Sequence, residues 1–224
     1  MFLTRFRINT ARPHARKLLS SPHRMHAAVM ASFADPAAHR NAQARTLWRV
    51  DELPDIPAQR ILYMVSPAKP DLTHLVEQAG WPTTETWQTR SYSEFLESLR
   101  NGQQWAFRLT GNPVRYGRRS NHGPTQRFGH VTVDQQRQWL LDRTETAGFR
   151  VVDTEAGAPD LLVHSRRTHS FARGSRQVTL RVATYDGRLE VTDADRLRHA
   201  LCNGIGHAKA YGCGLLTLAP VRQT

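Results

Sequence analysis

The chain has 224 residues, 39% hydrophobic and 8% aromatic, enough to bury one large core or two small ones. No run of about 18 apolar residues occurs, which argues against a membrane-spanning helix, and two cysteines, Cys202 and Cys213, are too few for a disulfide framework or a four-thiolate zinc site. Lys plus Arg number 31 against 19 Asp plus Glu, a net +12 whose field attracts polyanions, nucleic acid first among them. The excess is uneven: residues 1–100 hold 13 basic and 9 acidic side chains, residues 101–224 hold 18 and 10. Only Lys17, Lys69 and Lys209 are lysines. A GC-rich genome would account for the arginine bias but not for the positive excess. The opening MFLTRFRIN has arginines where a secretory signal needs an apolar stretch, so a cytoplasmic location is expected.

In chain order, Phe2 to Ile8 alternates apolar and polar and predicts a half-buried strand. Ser21-Pro22 is a helix start, with serine at the cap and proline at the first helical position. Pro22, Met25, Val29 and Phe33 then follow helical spacing. Thr46 to Val50 and Arg60 to Ser66 read as strands split by a turn at Asp51 to Pro57, and Asp71 to Ala79 as a helix. Pro82 to Gly102 is weakly periodic and is expected to hold the domain junction. A strand at Gln104 to Thr110 is followed by a long loop rich in Gly, Asn and Arg, Gly111 to Gly129, and a helix over Val133 to Ala147. Strands are expected at Phe149 to Asp153, Leu161 to His164, Gln177 to Tyr185 and Arg188 to Val191. A helix over Asp193 to Asn203 and a strand at Leu215 to Leu218 close the chain. There is no detectable internal repeat. The order predicts an α+β protein of two tandem ferredoxin-like (RRM-like, βαββαβ) domains, residues 1–92 and 103–224.

The densest motif is Gly204-Ile-Gly206-His-Ala-Lys209-Ala-Tyr-Gly212-Cys-Gly214. A helix precedes it and a strand follows, the reverse of a Rossmann or P-loop arrangement. Its glycines permit positive φ and close approach of an RNA backbone, and Lys209 offers a point charge to a phosphate. A tight helix-to-strand connection would need the same glycines. The tail as a whole, GIGHAKAYGCGLLTLAP from Gly204 to Pro220, closely resembles the glycine-rich loop of the CasE family of CRISPR endoribonucleases. Other segments resemble that family in order: Met1 to Ile8 its first strand, Ser21-Pro22-His23-Arg24-Met25-His26 its catalytic helix, Phe107-Arg108-Leu109 with Asn112-Pro113 its FRLRANP segment, and Gly187 to Val191.

Read locally, His26 lies in the second turn of the Ser21-capped helix with His23 on nearly the same face. The helix N-terminus favours a phosphate and a neutral imidazole. A half-buried histidine at the edge of the Met25–Val29 stripe is the plainer alternative. The resemblance implies that His26 is the key catalytic group of a [YH]-x-x-H pair. The partner is usually tyrosine in the family and is His23 here. The implied reaction is metal-independent RNA transesterification: the ribose 2′-hydroxyl attacks phosphorus, leaving a 2′,3′-cyclic phosphate and a 5′-hydroxyl, with His26 as general base or acid. His23-x-x-His26 has two of the ligands a metal needs, but no third or fourth is evident, so neither metal nor cofactor is expected.

Arg24, Arg115, Arg118 and Arg119, then Arg166, Arg167, Arg173 and Arg176, join Gly204, Gly206, Lys209, Gly212 and Gly214 as candidate RNA contacts, although such basic runs are commonly solvated faces. By resemblance, the substrate is the CRISPR repeat hairpin, cut at the stem base, and the partners are other subunits of the Cascade complex. A non-catalytic RNA-binding subunit of that assembly is the alternative. A generic DNA-binding protein would explain the charge but not the tail.

Overall fold

The computed structural model describes residues 1–35, 44–81, 87–118, 124–174 and 176–221. β1 (Phe2–Asn9) leads into α1 (Pro13–Leu19) and α2 (Pro22–Met30), and β2 (Leu47–Glu52) and β3 (Gln59–Ser66) follow. Next come α3 (Thr73–Ala79), β4 (Trp87–Ser91) and the short α4 (Ser93–Ser98). The four strands form one antiparallel sheet in the order β2-β3-β1-β4, the ferredoxin-like arrangement. The expected junction region thus contributes the strand that closes this sheet, together with α4. Pairing along β1, from Phe2↔Ser91 to Phe6↔Trp87, gives β4 a register its own sequence hardly signals. The helix α1 has no counterpart among the expected elements, since its seven residues carry too little periodicity.

The second half repeats the plan. It runs through β5 (Gln104–Gly111), β6 (Val114–Gly117), β7 (Gln126–Gly129), α5 (Val133–Thr144), β8 (Phe149–Val151), β9 (Leu161–Arg173), β10 (Arg176–Val191) and α6 (Ala194–Asn203). A single 3₁₀ turn, Lys209–Tyr211, precedes β11 (Leu216–Ala219). Strand order is β11-β5-β10-β8, the same arrangement, with β9 paired to β10 as a long hairpin. The expected loop after Asn112 contains the two-stranded β6–β7 ribbon. The two strands expected over 177–191 are one continuous β10, because β5, β8 and β9 all pair along it. A bulge opposite Ala183, where Ser165 takes φ 46°, divides the hairpin into a root and a tip.

Alternation along β1 turns Thr4, Phe6 and Ile8 toward the helices, where they join Met25, Val29, Leu62, Met64 and Leu75. The opposite face is buried as well: Leu47 and Val65 pack with Phe107, Leu109, Tyr185 and Leu216 of the second half. Burial on both faces explains why β3 reads as a nearly unbroken apolar run, ILYMV.

One polar group crosses this interface. Arg49, 2% exposed, donates from Nε and one Nη to the two Asp51 oxygens at 2.6 and 2.9 Å. Its remaining N–H groups go to the carbonyls of Arg108 (2.9 Å) and Leu215 (3.0 Å) and to the Thr217 hydroxyl (2.9 Å). All five guanidinium donors are used. Asp51 also lies 3.5 Å from Arg108, which grips Asp186 at 2.7 and 2.5 Å; His164 Nε2 is 3.1 Å from the same carboxylate. Burial alone would raise the Asp186 pKa. The Arg108 hydrogen bonds and charge, with His164, outweigh it and hold the carboxyl below the usual range.

Replacing Arg49 with methionine should cost about 3–5 kcal/mol, because it leaves the Asp51 charge and two carbonyls buried without their donor. Arg49→Lys should recover only part, having three donors instead of five. Urea unfolding of both variants measures this, and a loss below about 1 kcal/mol for Arg49→Met would contradict it. Asp186, with its pKa depressed by folding, contributes stability above the ordinary carboxylate value of about 3.9 and loses it as pH falls through the folded value. Asp186→Asn should therefore flatten the acid limb of the stability–pH profile below about pH 4.

Candidate active site and RNA interface

Ser21 caps α2 in extended conformation, its Oγ accepting from the Arg24 amide at 3.5 Å, with Pro22 at the first helical position. Met25 and Val29 point into the core, which leaves His23 and Arg24 exposed and His26 half-buried at the edge of the stripe. The helix lies against both the 3₁₀ turn of the tail and β9. Tertiary packing thus brings the His26 helix, the Lys209 turn and the long hairpin together from positions far apart in sequence. Beside them a cleft of about 680 Å³ opens between the halves, with Pro22, Met25, His169 and Tyr211 on its walls and Arg49 and Arg108 in its lining.

The glycines of the tail are used in packing. Gly204 ends α6, its amide donating to the Ala200 carbonyl at 2.7 Å; the Ile205 amide donates to the Gly214 carbonyl at 3.0 Å, and the Gly214 amide to that of Thr110 at 2.7 Å. Gly206 and Gly212 both have φ +79°, and a Cβ at either would stand 2.7 Å from a tryptophan ring, Trp139 and Trp48 respectively. The tight helix-to-strand connection, the alternative to an RNA-contacting loop, does need glycine. It needs it because two indoles lie flush against the backbone, which motif spacing does not reveal.

Lys209 is half-buried. Burial presses its pKa down first, and the nearby Arg45 adds to the effect. The same pattern recurs around it: His207 is lowered by burial, then by Arg127, Arg143 and Lys209; His130 by burial, then by Arg115 and Arg143; His169 by burial, then by Arg167. These groups crowd positive charge with few carboxylates to relieve it, so an arriving phosphate would stabilise each of them.

The expected arginines divide. Arg115 and Arg118 are exposed on and beside the β6–β7 ribbon, Arg115 over the Phe128 ring at 5.5 Å. Arg166 donates to Gln136 Oε1 at 2.8 Å and to the Val131 carbonyl, fastening the hairpin root to α5. Arg167 is 2.8 Å from Glu52, an ion pair between the halves. Arg173 and Arg176 stand at the hairpin tip, with only their backbone described, and Arg119 lies outside the described residues. Among the described residues no three His, Cys, Asp or Glu side chains are placed to hold a metal ion, and no helix is long and apolar enough to cross a membrane. Sequence reading missed the Arg49–Asp51–Arg108–Asp186 network. Its one signal was Arg49 and Asp51 two apart, hence on one face, in a strand otherwise suited to burial.

A tandem ferredoxin-like chain with a histidine-bearing helix packed against a basic hairpin and a glycine-rich turn is a polyanion-handling protein. A family model described as CRISPR associated protein matches residues 1–220. The chain belongs to this family, in the CasE group that its tail resembles. It is 30% identical over 225 residues to the CRISPR-associated endoribonuclease Cse3 of Thermus thermophilus, covering 98% of this chain and 100% of that one. It is 26% identical over 185 residues to the CRISPR system Cascade subunit CasE of Escherichia coli, covering 78% and 89%. The structure of Thermus thermophilus Cse3 bound to an RNA representing a pre-cleavage complex superposes with a TM-score of 0.78 at 28% identity, over 98% of each chain.

Gly212→Ala should destabilise the fold by more than the roughly 1–2 kcal/mol of a left-handed residue, since Trp48 must also move. Gly157→Ala is the control, with φ +76° and nothing within 4 Å of an added methyl group. Denaturation midpoints that fall equally for the two would remove the packing role of Trp48.

Proposed function

We propose that this chain is the CRISPR RNA-processing endoribonuclease of its system. It binds the repeat hairpin and cuts the precursor at the stem base, in the cytoplasm and in association with other Cascade subunits. The observation that carries the reading is the packing of the His26 helix against both the Lys209 turn and β9. The full-length similarity to a protein named as an endoribonuclease supports it. Residues 1–92 supply the catalytic helix, and residues 103–224 supply most of the RNA-gripping surface.

In this mechanism the 2′-hydroxyl attacks the adjacent phosphorus and the 5′-oxygen leaves. His26, at the half-buried edge of α2, takes the attacking proton or supplies the leaving one. His23, exposed one turn earlier, positions the phosphate or acts as the opposite proton carrier. Lys209, partly desolvated and close to Arg45, stabilises the phosphorane charge more strongly than an exposed lysine would. Arg24, Arg115, Arg118, Arg119, Arg173 and Arg176, with the backbone of Gly204, Gly206, Gly212 and Gly214, hold the flanking phosphates. Arg166 and Arg167 contribute through the hairpin they brace.

His26→Ala should slow single-turnover cleavage about 10²–10⁴-fold while hairpin affinity barely changes, because the arginines dominate binding. His23→Ala should cost less. Cleavage is expected to persist in excess EDTA. Full-rate cleavage by folded His26→Ala would reject the site, and binding without cleavage by the parent would favour a structural RNA-binding subunit. Charge removal at each true phosphate contact among Arg115, Arg118 and Lys209 should reduce the salt slope of binding by about 0.7–0.9. An unchanged slope after replacing all three would take them out of the interface.

A further inference from the structure

We propose that the β6–β7 ribbon and His207 form a stacking site for one unpaired RNA base, with Tyr116 as its platform. The inference rests on the nuclease reading and adds to it a base-contacting residue outside the phosphate-binding set. Tyr116 is 58% exposed, among the most exposed large hydrophobic side chains described. Its position is nevertheless fixed. The phenol oxygen lies 3.2 Å from His207 Nε2 and accepts from Arg127 Nε at 3.3 Å. The His207 ring stands edge-on at 6.0 Å, and the Arg127 guanidinium lies 5.6 Å from the ring centroid. Tyr116 and Arg127 are directly opposite in the ribbon register, as are Arg115 and Phe128. The ribbon therefore carries an arginine–aromatic pair on each face.

An exposed aromatic held at its tip by two side chains has already given up the rotamer freedom that binding would otherwise remove. The surroundings select the occupant. Residues 112–133 contain no carboxylate and four arginines. Burial, and then the cations Arg127, Arg143 and Lys209, press the His207 pKa below the ordinary imidazole value. A π surface set in uncompensated positive charge suits a nucleobase whose own phosphates supply the counter-charge. A paired base already has both faces stacked, so the base must be unpaired. His207 belongs to the same short loop as Lys209, whose turn lies against the His26 helix. A nucleotide captured here would, on this reading, lie in the single-stranded flank of the stem.

The test compares a repeat hairpin carrying single-stranded flanks with the same hairpin trimmed blunt. 2-Aminopurine is placed at each flanking position in turn. One position should be quenched on binding the parent protein and not on binding Tyr116→Ala. Tyr116→Ala should bind the flanked hairpin about 5- to 100-fold more weakly than the parent, with an unchanged salt slope and no loss on the blunt one. Tyr116→Phe, which keeps the ring, should remain within about threefold. Equal affinities of parent and Tyr116→Ala for the flanked hairpin, or equal losses on both RNAs, would overturn the stacking site. So would a Tyr116→Ala variant that binds RNA normally but no longer assembles with other subunits, since the occupant would then be a protein. A parent that binds neither RNA would bring down the nuclease reading itself.

Discussion

The arrangement of the site depends on a buried guanidinium at the edge of a strand. Arg49 spends all five donors on Asp51, two carbonyls and a hydroxyl of the second half, with the Tyr63 ring 5.6 Å from its carbon. Trp48, its neighbour on β2, points to the opposite face and meets Gly212. Residues of one tail segment thus contact both faces of the same edge strand. Leu215 and Thr217 lie on the Arg49 side and Gly212 on the Trp48 side. Packed on both faces of β2, the tail brings the Lys209 turn to α2. Interface register and site assembly therefore have one geometric origin.

Such an ion network is a specifying device more than a stabilising one. Desolvating a guanidinium and a carboxylate offsets much of their attraction, and an apolar replacement of matching shape could be as stable. What the fixed donor fork adds is selection among the ways two ferredoxin-like sheets can pack. A slip along β5 or β11 would leave donors unmatched inside a core lined by Leu47, Val65, Leu109 and Leu216. For a site built from two halves, that selection matters more than a small gain in free energy.

The electrostatics of the second half have a similar division of labour. Its excess of arginine looks uniform on paper, yet Arg108, Arg166 and Arg167 are committed to internal partners that hold the hairpin and the halves in place. Around Lys209, His207 and His130, burial first and neighbouring cations second lower each pKa, with Asp142 opposing the shift at His130. A polyanion arriving here would favour the charged form of each group, and the Lys209 turn among them lies against the helix that carries His26.

Much was legible in the residues. The two βαββαβ halves, α2 with its Ser21-Pro22 start, and α5 and α6 follow from local periodicity and capping, which are properties of neighbours in sequence. The tail motif, as a string, was enough to suggest the family. The closing strand β4, the ribbon inside the long loop and the continuity of β10 were not legible, because each is stabilised by a partner strand and not by its own pattern. Nor did the string show which arginines are spent on structure, that Trp48 and Trp139 dictate two of the glycines, or that Tyr116 meets His207 from 91 residues away. Periodicity assigns a side chain to a face. What lies across from that face depends on through-space packing of distant segments, and only the tertiary structure decides it.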